Sequence, residues 1–220
     1  MDKFTIRLIT FFIISILTAC GQTKIKVIAD KYSNGKSKTV WYFHSKADSK
    51  EKIDIKHSNG TGTVNKPLNF LVEGYYENGK LEYKGQYIKG QTSGLWEYFY
   101  ETGRNEAKCY YNEGKSTDTV FCWYPIGKLK RQIVEIDTAK NYWRNIDYFE
   151  NGNNQVECYQ LKDTAGEFKL NGLFQEWFEN GQLKFSATFK DSWTIGKWRK
   201  YELNGKLKEE SDKPFSMIIK

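Results

Sequence analysis

From residue 70 onward the chain alternates apolar and polar positions in short runs, and glycine punctuates the runs at a nearly fixed interval. An aromatic followed three residues later by glycine recurs as Tyr76-Glu-Asn-Gly79, Tyr100-Glu-Thr-Gly103, Tyr124-Pro-Ile-Gly127, Phe149-Glu-Asn-Gly152 and Phe178-Glu-Asn-Gly181. Tyr32-Ser-Asn-Gly35 precedes the series, and Tyr201-Glu-Leu-Asn-Gly205 closes it with one residue inserted. The glycine-to-glycine steps from Gly79 are 24, 24, 25, 29 and 24. After each glycine the even offsets are mostly apolar. Leu81, Leu129, Leu183 and Leu207 stand two on; Tyr83, Ala107, Val156 and Phe185 four on, with Arg131 and Glu209 as exceptions. Small residues such as Gly85, Cys109, Cys158 and Ala187 stand six on, and Tyr87, Tyr111 and Phe189 eight on. The odd offsets are polar, as in Lys80, Glu82, Lys84 and Gln86. Period two is the mark of a strand with one buried face.

Asn-Gly tolerates positive φ at both central positions, so each copy predicts a tight two-residue hairpin turn at Gly35, Gly79, Gly103, Gly127, Gly152, Gly181 and Gly205. Gly94, Gly172 and Gly196 lie nine residues before their turn glycines, with Trp96, Phe174 and Trp198 two residues later. Looser second turns are expected at Lys89-Gly90-Gln91 and Glu113-Gly114-Lys115. The fold class is therefore all-β: about seven hairpins in a twisted, elongated antiparallel meander roughly 65 Å long. The small residues six on make room for bulky rings on neighbouring strands. Regular repeats occupy 70–211, degenerate ones 31–69, and a tail 212–220. His57-Ser-Asn-Gly60 reads as a worn copy between Gly35 and Gly79, and the pattern breaks at 41–70 and 161–171.

The first residues are of another kind. Lys3 and Arg7 precede an apolar run, Leu8 to Leu17, too short for a membrane-spanning helix but suited to a signal peptide. Leu17-Thr18-Ala19-Cys20 resembles the lipobox of bacterial lipoproteins. That resemblance implies removal of 1–19, lipidation of Cys20 and a linker over 20–30. Gly21 and Gln22 follow the cysteine where an aspartate would imply inner-membrane retention, so the outer membrane is implied. Without an acidic cluster after Cys20, the periplasmic face is expected.

Charge excludes more than it assigns. The formal charge is +7, from 34 basic and 27 acidic residues, and losing Asp2, Lys3 and Arg7 removes one positive charge. The signs are intermixed along the chain, which describes a solvated surface, and nucleic acid is excluded as a partner. Beyond Cys20 the cysteines are Cys109, Cys122 and Cys158. Cys109 and Cys158 would sit about four strand spacings apart, too far to bond, whereas Cys109 and Cys122 flank one turn and can face each other. With two histidines, His44 and His57, and no CxxC, nothing offers a metal site, and no cofactor is expected. Glu77, Glu101, Glu150 and Glu179 share one turn position, so turn chemistry explains them better than paired-carboxylate catalysis.

Tyr76-Glu-Asn-Gly-Lys-Leu81, Gly94-Leu-Trp-Glu-Tyr-Phe-Tyr100, Phe178-Glu-Asn-Gly-Gln-Leu183 and Gly196-Lys-Trp-Arg-Lys-Tyr201 resemble the variant MORN repeat of bacterial proteins. The resemblance implies a repeat fold used for protein contacts and no catalytic residues; members are often labelled antitoxin-like. The expected function is a lipid-held, non-catalytic module binding a protein partner. Neutralisation of a toxin or effector is a second reading, and glycan or peptidoglycan binding, which requires exposed aromatics in a row, a third. Aromatics make up 16% of the chain, more than turns require. Trp123, Trp177 and Trp193 fall outside the repeated apolar offsets. They are the candidates for partner contact, weighed against ordinary core or edge packing.

Overall fold

The computed structural model describes residues 24–51, 55–58, 61–64 and 66–217, without the side chains of 55–58, 61–64 and 117–119. Cys20 lies outside the described residues. The strands are β1 (Ile25–Lys31), β2 (Ser37–Phe43), β3 (Ile55–Ser58), β4 (Thr61–Val64), β5 (Phe70–Tyr75), β6 (Leu81–Ile88), β7 (Gln91–Phe99) and β8 (Asn105–Asn112). They continue as β9 (Lys115–Trp123), β10 (Leu129–Asp137), β11 (Tyr142–Tyr148), β12 (Asn154–Lys162), β13 (Phe168–Trp177), β14 (Leu183–Lys190), β15 (Trp193–Tyr201) and β16 (Leu207–Ser211). Among the described residues there is no α-helix. One open antiparallel sheet runs β1-β2-β5-β6 and then in chain order to β16, the meander that the alternation predicts.

The gap after Gly35 is not filled by a worn copy. β2 pairs directly with β5, through Thr39↔Gly74 to Phe43↔Phe70. The β3–β4 hairpin around His57 leaves the path and meets the sheet at Thr63↔Gln91. The long step before Gly181 is an extension of the β12–β13 hairpin, closed by Gly166 N donating to Asp163 O at 3.0 Å.

Both turn types reverse the expectation. At the repeated glycines, Gly79 N donates to Tyr76 O at 2.8 Å and Tyr76 N to Lys80 O at 2.9 Å. Only the glycine of this turn has positive φ, +90°. Asn78 instead contributes its side chain, whose Oδ1 accepts from Lys80 N at 2.9 Å. This is a three-residue loop closed by a left-handed glycine. The tight two-residue turns lie at the opposite rim, with positive φ at both positions in Lys89-Gly90, Glu113-Gly114 and Asp191-Ser192. They join the directly paired Ile88↔Gln91, Asn112↔Lys115 and Lys190↔Trp193.

The three-residue loop brings a bulge with it. Gly74 pairs Tyr83 and Tyr75 pairs Leu81, so Glu82 has no opposite number. The same skip falls on Glu106, Lys130, Gln155, Lys184 and Lys208. One extra residue exchanges the faces of what precedes it. Leu81, Leu129, Leu183 and Leu207 therefore lie on the face opposite the core, not within it.

The apolar face condenses into two clusters. Phe43, Phe70, Val72, Tyr87 and Trp96 form one. Cys158, Leu170, Phe174, Phe185, Ala187, Phe189 and Trp198 form the other. The small residues six after each glycine do make room for rings. A Cβ on Gly85 would collide with the Trp96 ring, and Phe174 lies between Cys158 and Ala187 on its neighbouring strands. After β16 the tail folds back: Thr194 N donates to Phe215 O and Met217 N to Ser192 O, both at 3.0 Å. This lays the Phe215 ring against Phe185, Phe189 and Trp198.

Candidate functional site

A groove of about 720 Å³ opens beside that tail. Phe178, Phe185, Trp198 and Phe215 make its apolar wall. Its charged rim is a product of the repeat. Lys184 and Lys208 are bulge residues of β14 and β16, and each reaches back to the first residue of its own turn. Lys184 Nζ lies 5.9 Å from the Phe178 ring centre, while Lys208 Nζ meets Glu202 Oε1 at 3.3 Å. Lys184–Glu176 (2.5 Å) and Lys200–Glu209 (3.2 Å) complete a rim of three lysines and three glutamates. Lys200 Nζ also sits 4.9 Å over Trp198, an additional cation–π attraction. An aromatic floor inside a charge-balanced rim suits an apolar peptide segment better than an anion.

Trp123 and Trp177 are not irregular. Each occupies the position four before a turn glycine, as do Tyr75, Phe99, Tyr148 and Tyr201. The residue before each of them faces the core side: Tyr98 packs on the N-terminal cluster, and Glu176 pairs with Phe185. The six aromatics therefore stand in one row on the other face, all half-buried. The signal is present in the sequence, since every turn from Gly79 on has an aromatic four residues upstream. Trp193 stands apart at the start of β15, 55% exposed, bridged through its backbone to Ser216.

The turns themselves form a stitched rim. Tyr32, Tyr76 and Tyr124 hydroxyls donate to the Tyr75, Phe99 and Tyr148 carbonyls at 2.7 Å, and Tyr100 to Trp123 O at 2.5 Å. Asn34 Nδ2 donates to Glu77 Oε1 at 3.0 Å and Asn78 Nδ2 to Glu101 Oε1 at 3.2 Å. Asn151 Nδ2 donates to Glu179 O at 2.7 Å. Glu77 and Glu101 are thus joints between turns through their carboxylates and Glu179 through its carbonyl, while the turn of Glu150 is joined through Asn151 O, which accepts from Lys128 Nζ at 3.1 Å.

Between the two cores the same face turns polar. Arg131 forms a fork with Asp147, at 2.5 and 2.8 Å, and Asn145 donates to Gln160. These residues line a hollow of about 260 Å³ together with Cys158 and Phe168.

All three described cysteines are free. Cys109 lies opposite Val120 and Cys122 opposite Ala107, two rungs apart. Burial pushes the Cys109 thiol up to about 11 and Cys158 up to about 12, and it also raises Cys122. A thiol held protonated is a poor nucleophile and a poor metal ligand. Among the described residues, no group of three His, Cys, Asp or Glu side chains is placed to hold a metal ion.

No curated protein matches the chain. The model of the MORN repeat variant matches residues 71–89, 170–191 and 195–212, which correspond to β5–β6, the β13–β14 hairpin and β15–β16. Those three segments are MORN-variant repeats.

Proposed function

We propose that this protein is a non-catalytic interaction module. By this reading it is held on the periplasmic side of the outer membrane through lipid on Cys20, and its C-terminal groove receives an extended apolar segment of a partner protein. The observation behind this is the groove: aromatic floor, both signs of charge on its rim, and a wall completed by the chain's own tail through Phe215 and Met217. MORN-variant repeats on both sides of it are consistent with a module that binds rather than transforms.

Two measurements test the reading separately. Cys20→Ser should move the protein from the membrane to the soluble fraction and abolish labelling by a palmitate analogue; retention of both would defeat the lipid anchor. For the groove, a photo-crosslinking residue in place of Lys200 should trap one discrete partner in cells, whereas one in place of Lys115 on the opposite rim should not. Equal trapping at both positions, or none at Lys200, would reject the groove.

A further inference from the structure

The face opposite the two cores carries a regular feature that neither the fold nor the groove requires. Tyr75, Phe99, Trp123, Tyr148, Trp177 and Tyr201 each end a strand, and each pairs across its own turn with the residue two after the glycine. Consecutive aromatics are therefore two strands apart, about 9.6 Å. The disaccharide unit of an extended 1,4-β-linked hexose chain advances by nearly the same distance and presents one flat C–H face per unit.

We propose that this row binds a 1,4-β-linked polysaccharide, one disaccharide per repeat. Trp123, Tyr148 and Trp177 are its central platform. The sheet's twist turns successive strands by roughly 20–25°, so neighbouring aromatics of the row differ by about 40–50° and the bound chain winds with the sheet across them. Trp123 to Trp177 spans four strand spacings, about 19 Å, the length of two such disaccharides, so a hexasaccharide covers the platform with its ends free.

The surroundings suit a sugar. Each of these residues is half-buried, so part of its surface remains open to a ligand. The Phe121 ring lies 6.0 Å from Trp123 and broadens the apolar strip. One step further from the turns on the same face, Gln132 lies on one side of the buried Ile146 and Glu157 and Gln175 on the other, with Glu157 also accepting from Arg144 Nε at 2.8 Å. Asn154 stands within the row, opposite Tyr148. Aromatic platforms flanked by amides and carboxylates satisfy both the C–H faces and the hydroxyl edges of pyranose rings. Of the row only Tyr201 also lines the groove; the platform of Trp123, Tyr148 and Trp177 lies outside it, so either can fail without the other.

The test is calorimetric titration of the purified mature protein with N-acetylglucosamine oligomers of two, four and six units. Cellohexaose serves as the arm that separates an amino-sugar from a plain glucan, and maltohexaose, whose α-linkages curl the chain, as the control. Affinity should rise with each added disaccharide, by about tenfold from dimer to hexamer, for at least one β-linked series and not for maltohexaose. Trp123→Ala and Trp177→Ala should each weaken the hexamer by about five- to tenfold, with Trp123→Phe keeping most of it and Trp193→Ala changing nothing. Trp123→Phe keeps a ring in place, so it covers the case in which the alanine variant does not fold. Absent binding of both β-linked hexamers, length-independent affinity, or tryptophan variants that fold and bind as the parent does would each overturn the proposal.

Discussion

The two ends of the sheet and its middle are built on the same rungs with opposite chemistry. At the C-terminal end Phe185 stands four after its glycine and Phe174 seven before its own, and both are about 6% exposed. In the middle, the equivalent rungs hold Arg131 and Asn145, paired with Asp147 and Gln160. Yet β10, β11 and β12 pair as continuously as β13 and β14 do. The register is set by turns and bulges, so a rung can exchange rings for an ion pair without disturbing the ladder. The exchange is tolerable because the Arg131 side chain stays 51% exposed and keeps about half of its contact with water, which a fully buried ion would lose.

The sharpest way to break this comparison is to delete one ring from each end. Trp96→Ala and Phe174→Ala should each cost about 3–5 kcal/mol in denaturant melts, and the double variant should lose the sum to within about 0.5 kcal/mol. Coupling well above that would merge the two clusters into one core.

A second contrast separates turns from cores. Gly152 and Gly181, with φ of +96° and +86°, are both free of tight contacts, although one adjoins the polar middle and the other the C-terminal cluster. Valine at either should cost a similar ~1–2 kcal/mol, all of it backbone strain. Lys206→Ala, an exposed change, should stay within about 0.5 kcal/mol. A marked inequality between the glycines would mean that the core, not the turn, sets the register.

The smallest effect lies in the N-terminal half. A hydrogen bond from Lys84, with a second from Lys108, holds the Glu97 carboxyl below its usual range. A depressed folded pKa gives stability that is present above the unfolded carboxylate value and fades as pH falls through the folded one. Lys84→Met should therefore flatten the loss of stability between about pH 5 and pH 3, by less than ~1 kcal/mol, since the lysine of the pair is largely solvated. An unchanged slope would remove Glu97 from acid sensitivity.

Alternation and glycine spacing were enough to read the meander, and the small residues at Gly85 and Ala187 anticipated the rings packed on them. Faces were harder to read. Leu183 and Phe185 are two apart and read as one face, but the bulge at Lys184 separates them. A bulge is a backbone event that leaves no mark in apolar spacing. The turn was misread for a related reason, because Asn-Gly suits both a two-residue turn and the Asn side-chain acceptor of a three-residue loop. Trp123 and Trp177 looked irregular only against the offsets downstream of glycine. The groove was illegible, since it depends on Phe215 returning from a tail that belongs to no repeat.

The stitched rim has a consequence for length. Each turn reaches only to the next, by nearly the same bond: Tyr76 to Phe99, Tyr100 to Trp123, Tyr124 to Tyr148. A joint that recurs with the same parts can be remade when a whole unit is removed. Excising the 24 residues from Lys80 through Gly103 would bring the Tyr76 hydroxyl to Trp123, a meeting that already occurs one repeat later. Chain length in such a protein is open to change by duplication and loss in a way that a closed core never is, and evolution can tune its reach in whole repeats.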